Sequence, residues 1–250
     1  RHQFNTPIGL FGGIQERLTE ITGLTYLMNA TELMTTGIID GGSHPVVASG
    51  IVKSYITELS RVVLNHSMDV HAGKGICMGP SNYLGSAYMA APISITVEGA
   101  NILTRSMIIF GQGLIRAHPY VLSEMQAAEE KDAAQALRLF DKAFMAHCGF
   151  VLSNTVRSFV LGLTGGRGAR APVGPLKRYY QQLTRFSSVL AFGSDMAMIA
   201  LGASLKRNEH LSGRFSDLLA YLYMGSAVLK FYSSREDAER SEQERQVVDW

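Results

Sequence analysis

Apolar residues separated by three and four positions run through most of the chain, and that spacing fixes the class of fold open to it. Between Pro7 and about Met34 they fall at Ile8, Phe11, Ile14, Leu18, Ile21, Leu24, Leu27 and Met28, one face of an amphipathic helix whose first turn suits Pro7. A second stripe from Val46 to Val63 follows the breaker-rich segment Gly37 to Pro45, so the two helices should pair antiparallel. No stretch alternates in the manner of a strand, and no unit repeats at a fixed period. The expected class is all-α.

A loop from Asp69 to about Gly85 leads into short helical pieces and then a firm helix from about Gly99 to Ala117, closed by Pro119. Beyond a boundary at His118 to Tyr120 the chain turns charged and restarts as a long Ala-rich helix running toward Leu163. After the loop Thr164 to Pro175, Leu176 to Lys206 and His210 to Tyr232 read as two further helices, and the charged tail from Ser233 to Trp250 as mobile. The expected layout is a four-helix-type bundle over 1–118 and a helical extension over 119–250.

Composition narrows the function classes. Charged residues make up 18% and hydrophobic ones 46%, which argues against disorder and for extensive buried or contact surface. A net charge of +2, without clustered Lys and Arg, leaves no footprint for nucleic acid. Cys77 and Cys148 stand far apart, as in a reducing compartment rather than a zinc or disulfide scaffold. Apolar runs such as 107–115 fall short of the ~18 residues of a membrane span. A soluble chain, cytoplasmic or peripheral at the inner membrane, is expected. The opening at Arg1, directly in patterned sequence without Met, leads us to expect a piece of a longer protein.

Glu98 is the only charged side chain between Lys74 and Arg105. Desolvation by apolar neighbours would raise its pKa into the range useful for proton abstraction, and Gly99 would let a ligand approach the backbone. The plainer reading places Glu98 in the first turn of a helix, where the dipole favours an anion. His71 to Gly75 (HAGKG) could offer N–H groups to phosphate, but Ile76 stands where a Walker loop needs Ser or Thr. The histidines show no metal-binding spacing, and no metal is expected. Asp195, the only charge between Arg185 and Lys206, is expected as a buried hydrogen-bond hub rather than a catalytic group. The basic loop with Arg167, Arg170, Lys177 and Arg178 either meets lipid or phosphate or is simply solvated.

The opening RHQFNTPIGLFGGIQERL resembles the start of the C-terminal helical domain of flavin-dependent acyl-CoA dehydrogenases, and TVEGANILTR resembles their catalytic segment. With KRYYQQL and LGASLKR the whole length is similar to the C-terminal part of the bacterial long-chain branch that acts in fatty-acid β-oxidation. The resemblance implies FAD as cofactor, acyl-CoA as substrate, a homodimer, an electron-transfer protein or quinone-linked acceptor, and amino-terminal domains that complete the site. It places Glu98 on the general base and Gly99 on a substrate contact. Arg1 falls on the arginine that reaches the flavin-adenine pyrophosphate of the neighbouring subunit, with Gln3 and Phe4 beside it. Asp69 to Gly73 occupy the loop around the adenosine, and Ala100 to Ile102 the positions that touch the cofactor after the base. The chain departs from the family's pattern at Asp69, His71, Ala72 and Ala100, and it lacks the Arg-Asp pair ahead of the catalytic segment. The competing reading is a noncatalytic helical module for oligomerisation or membrane docking.

Overall fold

The computed structural model describes residues 1–235 and 241–250. It opens with a small hairpin that the apolar spacing did not announce: β1 (His2–Gln3) and β2 (Thr6–Pro7) pair antiparallel, His2 opposite Pro7. Phe4 and Asn5 turn it at φ +51° and +59°. A 3-10 turn at Ile8–Leu10 follows, so the first long helix, α1 (Gly12–Asp40), starts later than Pro7 and runs past Met34.

The second stripe is confirmed as helix, though composite. α2 (Val46–Ile51) passes through a π turn at Val52–Ile56 into α3 (Thr57–His71). Then come α4 (Gly73–Ile76), α5 (Gly85–Thr96) and α6 (Asn101–Leu103), a second π stretch at Thr104–Gln112, and α7 (Gly113–Ala117). The long helix expected after Tyr120 is two helices, α8 (Val121–Ala128) and α9 (Ala133–Leu163). Asp132 makes the break, because its carboxylate caps α9 by accepting from the N–H groups of Ala134 at 2.9 Å and Gln135 at 3.4 Å. α10 (Lys177–Leu201) gives way at Gly202, φ +51°, to a 3-10 segment, and α11 (Glu209–Ser234) follows.

Of the tail expected to be mobile, 236–240 lie outside the described residues, and 241–250 are ordered as α12 (Glu242–Asp249) and its flanks. Ser241 caps this helix by accepting from Glu244 N–H at 3.0 Å, the capping-box pattern with Glu at the third helical position.

Two compact units emerge from these elements. One comprises Arg1–Pro45, Ile51–Asn101 and Met224–Trp250; the other comprises Val46–Gly50 and Ile102–Tyr223. They interleave along the chain, whereas the division at 118 and 119 drawn from the sequence is linear. In the first unit α1 packs on α3, α3 on α5, and α12 returns to α1. In the second, Phe110, Ala197 and Leu205 form a buried cluster, and the Phe110 ring stacks on Phe215 with centroids 4.5 Å apart. α9 packs there against α8 and α10, yet part of its apolar face stays uncovered: Met145, Leu152, Phe159 and Leu163 are 66–76% exposed. No single helix among the described residues is long and apolar enough to cross a membrane.

Candidate functional site

The segment after α5 has an unusual backbone. Val97 is extended, and Glu98 and Gly99 then both take positive φ, +53° and +94°. For glycine this is free, but for Glu98 it costs roughly 1–2 kcal/mol unless the surroundings enforce it. A cation on the π turn between α2 and α3 meets carbonyls on either side of Glu98. Lys53 Nζ donates to the carbonyls of Ile95 (3.3 Å) and Gly99 (2.5 Å) and to Oδ1 of Asn101 (2.8 Å). Asn101, 5% exposed, turns its Nδ2 back to Ser54 O (3.1 Å), Thr57 Oγ1 (2.8 Å) and Glu58 Oε1 (3.1 Å). Neither Lys53 nor Asn101 stood out in the sequence. The two lie 48 residues apart, and no local spacing records their meeting.

The expectation that Glu98 is desolvated by its neighbours is corrected. Glu98 and Gly99 are exposed, and the apolar side chains around them in the sequence are uncovered as well, Ile93 by 60% and Val97 by 47%. An uncharged sequence neighbourhood is therefore not a buried one. Nor does Glu98 lie in the first turn of a helix, since α5 ends at Thr96 and α6 begins at Asn101. Ala100 is half-buried, while Ile102 is 84% exposed and falls in the other unit.

The second group of expected residues gathers elsewhere in the first unit. Arg1, Gln3, Phe4, Asp69 and Ala72 line one hollow of about 340 Å³ together with residues at the start of α1. Arg1 Nη1 donates to the carbonyl of His71 at 3.0 Å, which ties the amino terminus to the end of α3. His71 is held in one tautomer: its Nδ1–H donates to Ser67 O at 2.8 Å, and its Nε2 accepts from the Tyr83 hydroxyl. Ala72 takes φ +51°, a conformation suited to glycine, and Gly73 follows it as the first residue of α4. Glu98, Gly99, Ala100 and Ile102 are not among the residues of this hollow.

In the second unit Asp195 is the hub expected of it. It is 1% exposed, and its Oδ1 accepts from Nε2 of His118 at 3.0 Å and Nε2 of His147 at 3.2 Å. His147 Nδ1 donates in turn to Glu124 Oε1 at 2.8 Å. Burial works against a charge on His147, but the bonds to Glu124 and Asp195 outweigh it and hold its pKa above the usual 6.5. His118, His147 and Asp195 converge closely enough to hold a cation, yet their protons are already assigned. His118 Nδ1 accepts from the N–H groups of Tyr120 and Val121, both at 3.3 Å, so its Nε2 carries the hydrogen that a metal would have to displace. The cluster reads as a hydrogen-bonded hub.

The basic side chains of Arg167, Arg170, Lys177 and Arg178 are all exposed. The loop beneath them is pinned, because Gln181 Nε2 donates to Arg167 O at 3.0 Å and Gln182 Nε2 to Gly165 O at 3.1 Å. Cys77 and Cys148 are free and exposed.

Comparison with known proteins accounts for this architecture. A solved acyl-CoA dehydrogenase from Bacillus anthracis, complexed with FAD, superposes with a TM-score of 0.73 at 16% identity; the match covers 99% of this chain and 40% of that one. The chain therefore has the helical fold of that protein while spanning about two fifths of its length. Residues 115–250, more than half of the chain, match the family model described as "Acyl-CoA dehydrogenase, C-terminal, bacterial type". The chain belongs to the bacterial-type acyl-CoA dehydrogenase C-terminal family.

Proposed function

We propose that this chain is the C-terminal part of an FAD-dependent acyl-CoA dehydrogenase that converts fatty acyl-CoA to trans-2-enoyl-CoA, the first step of β-oxidation. The observation that carries the proposal is the Glu98 loop. A lone carboxylate is presented on a strained turn whose carbonyls are tied to Lys53 and Asn101, with exposed Ile93 and Val97 beside it in the chain. Such a surface calls for a partner that covers it, and the proposed partners are the amino-terminal domains of the same protein and the acyl chain itself. Once water is excluded, the Glu98 carboxylate would take the proton from the α-carbon of the thioester, and its backbone N–H would help hold the thioester oxygen. Gly99, lacking a side chain, leaves room for the substrate. Bound FAD would supply the oxidising power, as acceptor of the β-hydride.

The residues around the hollow fit one portion of that cofactor. Arg1 would offer a guanidinium to the pyrophosphate of the neighbouring subunit's cofactor, Gln3 a side-chain amide beside it, and Asp69 an acceptor for hydroxyl or amino donors. In our reading 1–118 is the catalytic helical domain and 119–250 the extension of the bacterial long-chain branch. The exposed apolar stripe of α9 supports an assembly surface, which we assign to a homodimer. The electron acceptor is proposed to be an electron-transfer protein or a quinone-linked partner, at a cytoplasmic site or the inner membrane surface.

The same stripe favours the second reading, a noncatalytic module for oligomerisation or membrane docking. Purification of the complete polypeptide decides between them. Bound flavin that bleaches on addition of acyl-CoA is expected, while residues 1–250 alone should hold no flavin, because sites need a shell from several elements. A complete protein free of flavin and inert to acyl-CoA would leave the noncatalytic reading standing.

A further inference from the structure

We infer that Lys53 is a positioning residue for Glu98, an inference that rests on the reading of Glu98 as the base. An ammonium has three N–H donors, and each has a protein acceptor here: Ile95 O, Gly99 O and Asn101 Oδ1. Two of these acceptors bracket the base, one three residues before Glu98 and one directly after it. With both carbonyls drawn to one cation, the backbone between them is closed into a loop, and Glu98 is kept at its positive φ. Asn101 fixes the far side, since its Oδ1 receives Lys53 and its Nδ2 returns to Ser54, Thr57 and Glu58. Thr57 completes the ring by donating its hydroxyl to Lys53 O at 2.7 Å.

The anchor lies on the π turn at Val52–Ile56. Such turns re-aim side chains that a regular helix would present elsewhere, and they recur at functional sites. Lys53 thus acts on the carboxylate through the backbone, and the loop is preorganised before substrate arrives.

The test compares Lys53→Met with Glu98→Gln in the complete polypeptide that carries this chain. Lys53→Met is expected to lower kcat about 10- to 100-fold while KM for acyl-CoA stays within about threefold, the signature of a misplaced base rather than of lost substrate binding. Amide hydrogen exchange over residues 97–101 should quicken at least ~10-fold, with α1 and α9 unchanged. A merely structural lysine would instead loosen exchange throughout and leave the turnover of folded enzyme alone. Turnover within about twofold of wild type, or unchanged exchange over 97–101, overturns the inference. Near-normal turnover by Glu98→Gln would defeat the base reading itself, and the exchange data would still decide whether Lys53 fixes the loop. If Lys53→Met is insoluble, Lys53→Gln, whose shorter amide reaches fewer of the three acceptors, is read by the same criteria.

Discussion

Trp250 stands where a side chain on Gly23 would have to go: an added Cβ would run into Cε3 and Cζ3 of the indole. α12 is held in this position by Glu244, whose Oε1 accepts from the Tyr26 hydroxyl at 2.8 Å and from Arg235 at 3.1 Å. Burial and that carboxylate push the Tyr26 pKa above its usual value. Gly23→Ala should therefore displace the ring and leave the Glu244 contacts in place. Because the indole is already 59% exposed, the loss of stability should stay below about 1 kcal/mol. Trp250 is the only tryptophan, so its emission reports the displacement directly. A red shift is expected; an unchanged spectrum would mean that the indole does not occupy this place in solution.

That docked tail also shows what could be read from the chain alone. Ser241 and Glu244 carry a capping-box signal that charge density obscured, so the helix was legible in principle. Asp195 was legible as a hub because a lone acid on an apolar helix has to be satisfied by something. Its partners His118 and His147 were not, since 77 and 48 residues separate them from it and no local spacing records such a meeting. Lys53 was missed for the same reason. The dryness expected around Glu98 failed because sequence neighbours such as Ile93 and Val97 are themselves exposed. Apolar composition describes the segment and says nothing of what covers it.

Ala72 offers a test of backbone strain. It ends α3 at φ +51°, ψ −131°, a sparsely populated region where a Cβ costs on the order of 1–2 kcal/mol. Glycine removes that cost but loses ~0.4–1 kcal/mol through the freer unfolded chain. Ala72→Gly should thus raise stability by up to about 1.6 kcal/mol, seen as a higher urea midpoint with an unchanged slope. A lower midpoint would show that Ala72 makes contacts worth more than its strain.

For the proposed chemistry, Glu98→Gln is nearly isosteric and keeps the backbone of the strained turn. In the complete enzyme it should retain flavin and bind acyl-CoA, yet lose at least ~10²-fold in turnover, the lower range for a general base. Stopped-flow bleaching of the flavin by acyl-CoA measures this. Bleaching at nearly the wild-type rate would remove Glu98 from the mechanism.

The His147 hub predicts a pH dependence with a definite sign. Its folded pKa lies above 6.5 because Glu124 and Asp195 each accept from one of its ring nitrogens. A raised folded pKa means that the stabilisation is fully present below the unfolded value near 6.5 and is lost as pH rises through the folded value. The groups facing His147 are Glu124 from α8, Asp195 from α10, the His118 ring, whose centroid is 4.7 Å away, and the Tyr120 ring stacked at 5.7 Å. Once His147 gives up its proton, either Glu124 or Asp195 loses a donor. Unfolding free energy should therefore decline as pH rises above 6.5, more steeply in the wild type than in His147→Gln, which cannot take up that proton. The variant should be the less stable at pH 6 and approach the wild type at higher pH. Parallel curves across that window would show that His147 carries no extra proton in the folded chain.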